Sequence, residues 1–439
     1  MTAGFLTRVG VVLFFGKYVM SSDPLINRRF GPYILLRQLG IGGMAETYLA
    51  VKRGPQGARK FVALKCILSH YNDMPDYIDM FYHEAGLSLK MQHPNVISAW
   101  DVGLVDGRHT MVMEYLRGAT LESILLALRA RGEVLPIEVG VWLAISVLDG
   151  LQYLYDLKSL DGLTLRVVHR DITPQNIFAC YNGQSKIFDF GIACLMREGQ
   201  GVKSGMLVGK YAYMSPEQCR GEALDARSDM FALAAVLYEM TTGRPVFERE
   251  NDIKTLEAVT TEPIKPPASV VRDFPAFLSG IIMHGLERDI SRRYPTALEF
   301  ADELRTFMKV AGYTQTGRAT RLFLGKLFAE EIAASEVFAA RAIEAVWQKF
   351  PEEEDEALSG ASVGECGFEN FLPVHGGSVD ISLSKLGMFA VPSSEAGKAP
   401  AAKADGEQAV AVGGIWRRLT VILAVALLFA VVGLVLLYF

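Results

Sequence analysis

The sequence predicts an α+β fold built around a phosphate-handling cleft, and three stretches predict it. A glycine-rich turn, Leu39-Gly40-Ile41-Gly42-Gly43-Met44-Ala45, falls between two strand-like runs. An apolar strand follows, Phe61-Val62-Ala63-Leu64-Lys65, ending in a lysine. Far downstream, His169-Arg170-Asp171-Ile172-Thr173-Pro174-Gln175-Asn176 precedes Asp189-Phe190-Gly191.

Each stretch has a chemical reason. In the turn, glycines let backbone N–H groups approach phosphates that a Cβ would hold off. Ala45 sits where a third glycine would stand, and alone the turn would serve as an ordinary hairpin. A lysine at a strand end is usually just solvated. After a glycine loop it becomes the expected partner of the α- and β-phosphates. Glu84, in Phe81-Tyr82-His83-Glu84-Ala85, is the helix carboxylate expected to tether it. The downstream loop sets Asp171 and Asn176 five residues apart, with Asp189 beyond. Phosphoryl transfer from ATP needs one carboxylate to orient the attacking hydroxyl, and an amide and a second carboxylate to hold magnesium. His-Arg-Asp alone arises by chance in many chains; with Asn176 and Asp-Phe-Gly at matching spacing, chance explains little.

On these motifs, residues 33–308 resemble a protein kinase domain of the eukaryotic-like (Hanks-type) Ser/Thr class found in bacteria. The resemblance implies a two-lobed fold: a small antiparallel-sheet N-lobe with one helix, and a larger helical C-lobe. ATP would lie between them, with Mg²⁺ as its cofactor. It implies Met113 as gatekeeper and Glu114-Tyr115-Leu116 as the hinge against adenine, with Leu39, Gly40, Gly42, Gly43, Ala63 and Lys65 completing the nucleotide site. Asp171, Lys65 and Glu84 take catalytic roles, and Asn176 and Asp189 hold the metal. Ser215-Pro216-Glu217 matches the family's Ala-Pro-Glu, with Glu217 expected to pair with Arg293, and Asp229 resembles the helix residue that braces the catalytic loop. The implied activity is ATP-dependent phosphorylation of serine and threonine in protein substrates, including the chain itself. The alternative is a pseudokinase-like scaffold that binds nucleotide with little or no transfer. A small-molecule kinase fits the P+1 region less well, and a tyrosine kinase is disfavoured because the loop lacks Ala-Ala-Arg-Asn.

The chain departs from that pattern at two places. The family usually carries lysine where Thr173 stands, and threonine where Lys210 follows Gly209. These positions should meet in space, so the pair reads as a reciprocal exchange, Lys210 reaching back to Asp171 and the γ-phosphate. The alternative is that Lys210 is a solvated loop lysine and the site is weakened. Between Gly191 and Gly209 the only hydroxyl side chain is Ser204. It is a candidate phosphosite for docking on Arg170, although one serine in a glycine-rich loop is unremarkable.

Composition places the rest. A net charge of -5 without basic clusters gives no support to nucleic-acid binding. The five cysteines (Cys66, Cys180, Cys194, Cys219, Cys366) show no zinc-like spacing and suit a reducing compartment. Residues 1–30 form an N-terminal extension, with Met20 as an alternative start. The kinase domain is placed at 31–309 and a helical extension at 310–350, packing on the C-lobe or forming a homodimer. An acidic, Gly/Ser/Ala-rich flexible linker covers 351–418. Residues 419–439 are apolar except for Thr420 and Tyr438. At 1.5 Å per residue they reach about 31 Å, enough for a hydrocarbon core of about 30 Å. Arg417 and Arg418 precede them, which the positive-inside rule keeps cytoplasmic. The expectation is a single-pass anchor in the bacterial inner membrane with the kinase domain facing the cytoplasm.

Overall fold

Runs of β-branched and aromatic residues put the first part of the chain into strands. The computed structural model describes residues 27–54, 58–159, 161–190, 210–314 and 316–349. Strands β1 (Arg28–Phe30), β2 (Tyr33–Ile41), β3 (Ala45–Arg53), β4 (Arg59–Ile67), β5 (Ala99–Val105) and β6 (Arg108–Glu114) form one antiparallel sheet in the order β1-β2-β3-β4-β6-β5. Helix α1 (Pro75–Ser88) opens with proline at its first turn and buries Phe81, Glu84, Ala85 and Ser88. Strand β4 does not end at Lys65, as the apolar run suggests, but continues through Cys66 and Ile67. Lys65 is therefore flanked on both sides, opposite Thr47 on β3 and Met111 on β6. It is an interior sheet residue and not a solvated strand end.

Residues 115–117 lead out of the sheet into the second lobe. There β7 (Gly118–Thr120), β8 (Ile177–Cys180) and β9 (Ser185–Ile187) make a small three-stranded sheet. Around it stand α2 (Leu121–Arg131), α3 (Ile137–Tyr155), α4 (Pro216–Arg220), α5 (Ala226–Thr242), α6 (Asp252–Thr260), α7 (Pro267–Val270), α8 (Ala276–Gly285) and α9 (Ala297–Val310). Caps written in the sequence set their ends. Thr120, Asp225, Asn251 and Thr296 accept first-turn amides, and Gly132, Gly221 and Gly243 close helices in the left-handed conformation. Every residue of α5 from Ser228 to Thr242 is buried, so α5 runs through the core as a helix without a solvent face.

Among the described residues one helix is long and apolar enough to cross a membrane, α3, and 67% of its apolar window is buried inside the lobe. The expected span at 419–439 lies outside the described residues, as do the linker and residues 1–26. The helical extension becomes α10 (Thr316–Leu327) and α11 (Ala329–Lys349). Leu324, Leu327 and Phe328 are buried in the C-lobe core, whereas Leu322 and Val337 are exposed. The extension does not stay on the C-lobe: Phe338 and Ala342 join the apolar cluster of the N-lobe.

Candidate active site

The site is assembled from the strand, helix and loop that the sequence singles out. Lys65 Nζ donates to Glu84 Oε1 at 2.5 Å and to Asp189 Oδ1 at 2.9 Å. Lys65 and Glu84 are buried, while the Asp189 side chain is half exposed, at 51%. Burial alone would drive the Lys65 ammonium toward neutrality; Asp189 and then Glu84 outweigh it and hold the charge in place. Burial lifts the Glu84 carboxyl above its ordinary range, against the pull of Lys65. One cation thus joins sheet, helix and loop.

The catalytic-loop residues form a second group. Asn176 Nδ2 donates to the Asp171 carbonyl and to Asp171 Oδ2, both at 2.8 Å. With its nitrogen so engaged, the Asn176 amide keeps its oxygen as the metal-type donor. Proline at position 174 starts the short 3₁₀ turn Pro174–Asn176 that brings the amide back over Asp171. Arg170 and Asp189 both adopt left-handed backbone, at φ +68° and +57°. Each such non-glycine residue costs about 1–3 kcal/mol and persists only where its surroundings over-determine it. Asp229, buried in the first turn of α5, supplies that constraint for the loop: its carboxylate accepts the His169 and Arg170 amides, both at 2.7 Å. Burial pushes the Asp229 carboxyl up to about 7, against the pull of those two amides.

The P+1 side is braced separately. Glu217 receives two hydrogen bonds from Arg293, at 2.6 and 2.7 Å, and one from Ser228 at 2.6 Å. Arg293 also donates to the Glu287, Arg227 and Arg288 carbonyls and lies 4.8 Å from the Phe231 ring. Burial would raise Glu217; the Arg293 and Ser228 bonds overcome it and hold the carboxyl at about 2.

On the nucleotide side, Leu39, Ala63 and Met113 share one apolar cluster, with Ala63 directly opposite Met113. Gly40 pairs with Thr47, and Gly42 closes the turn by donating to the Ala45 carbonyl at 2.7 Å. A Cβ at Gly43 would meet nothing within 4 Å, so the fold itself does not demand glycine there. Glu114 ends β6, and Leu116 lies in the crossing between lobes.

The two departures fall differently. Thr173 is buried in extended backbone, and its hydroxyl has no hydrogen-bond partner among the described residues. Lys210 begins a short 3₁₀ turn, Lys210–Tyr213, but its side chain lies outside the described residues. Ser204, Cys194 and the rest of 191–209 also lie outside them.

Three connections escape motif reading. Lys186 on β9 donates to Glu114 Oε1 at 2.8 Å and to the Val96 carbonyl at 3.1 Å, tying the hinge to the strand that leads into Asp189. Gln218 caps α4 by accepting the Ser215 amide and donates to the Arg170 carbonyl at 2.9 Å. Tyr213 donates to buried Glu239 at 2.5 Å, and Glu239 also pairs with Arg129. The Ser215-x-x-Gln218 spacing marks the cap of α4, but nothing local marks the partners of Lys186, the reach of Gln218 to Arg170 or the Tyr213–Glu239 pair.

The model of the protein kinase domain matches residues 33–304. The chain belongs to the protein kinase family. It is 39% identical over 279 residues to the tyrosine-protein kinase MasK of Myxococcus xanthus, covering 64% of this chain and 43% of that protein. It is 32% identical over 287 residues to the serine/threonine-protein kinase PrkC of Bacillus subtilis, covering 64% and 41%. The crystal structure of the Mycobacterium tuberculosis PknI kinase domain aligns with 23% identity and a TM-score of 0.47, covering 64% of this chain and 98% of that one. The chain spans about two-fifths of the length of the curated relatives it matches. The family generally uses ATP and Mg²⁺.

Proposed function

We propose that this protein is an active serine/threonine protein kinase, held at a membrane by residues 419–439. The observation that carries the catalytic part is the meeting of Lys65, Glu84 and Asp189 beside the Asp171–Asn176 pair. Asn176 and Asp189 offer hard oxygen donors, one of them half exposed, so they fit Mg²⁺. Bound there, the ion would neutralise charge on the phosphates.

The chain's own residues do the rest. Lys65, kept charged and aimed by Glu84, positions the α- and β-phosphates. Asp171 accepts a hydrogen bond from the acceptor hydroxyl and aligns it with the γ-phosphorus; Asn176 fixes the Asp171 carboxylate. Little covalent work is asked of the protein, so rate comes from positioning and preorganised charge. Lys210 replaces the cation missing at Thr173, whose buried hydroxyl carries no charge to the γ-phosphate. Lys210→Ala should lower kcat about a hundredfold, the scale of losing one preorganised donor in the transition state. Unchanged turnover in that variant, beside an inactive Asp171→Ala, would overturn the exchange.

Serine and threonine are favoured by relatives such as PrkC, named as serine/threonine kinases; a tyrosine acceptor is the second reading, favoured by the name of MasK. Phosphoamino-acid analysis after incubation with Mg-ATP and a generic protein substrate decides between them. Phosphoserine and phosphothreonine support the proposal, and phosphotyrosine alone replaces it. The pseudokinase-like scaffold is favoured by Thr173, and the absence of any transfer would select it. The membrane tether is carried by composition: carbonate-resistant membrane association should vanish when residues 419–439 are deleted, and soluble behaviour of the full chain would contradict it.

A further inference from the structure

Helix α11 lies beyond the residues that match the kinase family, yet it touches both lobes. Its beginning is fixed to the C-lobe through α10. Leu324, Leu327 and Phe328 are buried there, Ile332 packs on the same core, and Arg131 donates to the Leu327 carbonyl at 3.0 Å. The backbone approach is close: a Cβ on Gly183, at the β8–β9 turn, would stand 2.1 Å from the Gly317 carbonyl of α10. Ten residues after Ile332, Ala342 is buried in the N-lobe cluster with Leu39, Ala63 and Met113. That is about 15 Å of helix. Between those ends, Glu336 pairs with Arg117 of the interlobe crossing at 3.2 Å, and Phe338 lies 5.0 Å from the guanidinium of Arg37 on β2.

The inward residues of α11, Ile332, Ser335, Phe338 and Ala342, recur at helical spacing, with Glu330, Ala334, Val337 and Arg341 outward. A helix anchored at both ends resists bending, whereas residues 115–117 have no regular structure. Opening of the lobes about that crossing must therefore pull Phe338 and Ala342 out of the N-lobe cluster.

We propose that α11 is a positioning element for the nucleotide: a strap that bridges the lobes and holds them at the angle where Lys65, Glu84 and Asp189 meet. This rests on reading the cleft as an ATP site. Releasing the upper half of the strap would leave the chemistry intact and weaken nucleotide binding.

The test uses the full chain with Glu336→Arg, Arg117→Glu, the charge-swapped double variant and Phe338→Ala, reading kcat, KM for ATP and amide hydrogen exchange. The Arg117–Glu336 pair is largely exposed, so each charge reversal should raise KM for ATP by about threefold, with kcat little changed. Phe338→Ala removes more packing and should raise it about tenfold. Both should speed exchange at residues 33–41 and 115–118. The charge swap should restore KM and exchange together, which loss of general stability would not do. Unchanged KM and exchange in the single variants, or a swap that restores neither, would overturn the strap. Exchange needs no nucleotide, so it judges the strap even in a chain that binds no ATP; failure of wild type to bind would count only against the reading of the cleft.

Discussion

At the scale of single residues, the site depends on charges whose surroundings fix their state. Glu84→Gln removes the carboxylate from a buried pair and leaves Lys65 drawn to Asp189 alone. Turnover should fall about a hundredfold, with thermal stability lowered less than by truncation to alanine. Glu217 makes a different statement. Its carboxyl is held at about 2, below an ordinary 4.5. Between those values the folded chain binds fewer protons than the unfolded one. The stabilisation from Glu217 is therefore complete above about pH 4.5 and is lost as pH falls toward about 2. In acid titrations followed by circular dichroism, Glu217→Gln should start about 3–5 kcal/mol less stable at neutral pH and lose less than wild type over that window. Parallel acid curves would contradict this. Glu84 was legible in sequence because phosphoryl transfer requires particular side chains in a particular order, and Glu217 because Ser215-Pro216-Glu217 resembles the kinase family's Ala-Pro-Glu. Lys186, Gln218 and Glu239 were not, because their partners lie 72, 48 and 110 residues away and only the fold brings them together.

At the scale of elements, backbone contacts decide what can be substituted. Gly183 sits at φ +92° with the Gly317 carbonyl in the space a side chain would need. Gly183→Ala should lower the melting temperature by several degrees, since a strained backbone of about 1–3 kcal/mol is joined by a clash. Calorimetry showing no shift would mean that α10 is not docked against the turn. Tyr213 carries a second such link, from the P+1 segment to α5 through Glu239. Its phenol is pushed to higher pKa by burial and by the Glu239 charge, so it stays a donor at any ordinary pH. Tyr213→Phe should cost about 1–3 kcal/mol by leaving Glu239 short of a donor, and should raise KM for a protein substrate more than KM for ATP. Equal effects on both would assign Tyr213 to general stability. Element boundaries were harder to read than motifs. The apolar run 61–65 hid the continuation of β4 because Lys65 reads as a stop, when Glu84 and Asp189 compensate its charge inside the sheet. The helical extension was expected as one segment at 310–350, whereas the chain breaks at Phe328 and each of its two helices buries its own face, leaving Leu322 and Val337 exposed.

At the scale of the whole molecule, the two-lobed arrangement follows from the change in pattern along the chain. Strand-forming runs come first and capped apolar helices later, with residues 115–117 between them. The bridging course of α11 was not legible, because its inward stripe is compatible with packing on either lobe, on both or on a second chain. Only the tertiary contacts of Phe338 and Ala342 distinguish these. The central claim, that this cleft transfers phosphate, is tested most directly by intact-mass spectrometry of the purified full chain incubated with Mg-ATP and a generic protein substrate, beside its Asp189→Asn counterpart. Mass increments of phosphate with the wild type and none with the variant are the predicted result. Equal labelling by both, or none by either, would contradict it.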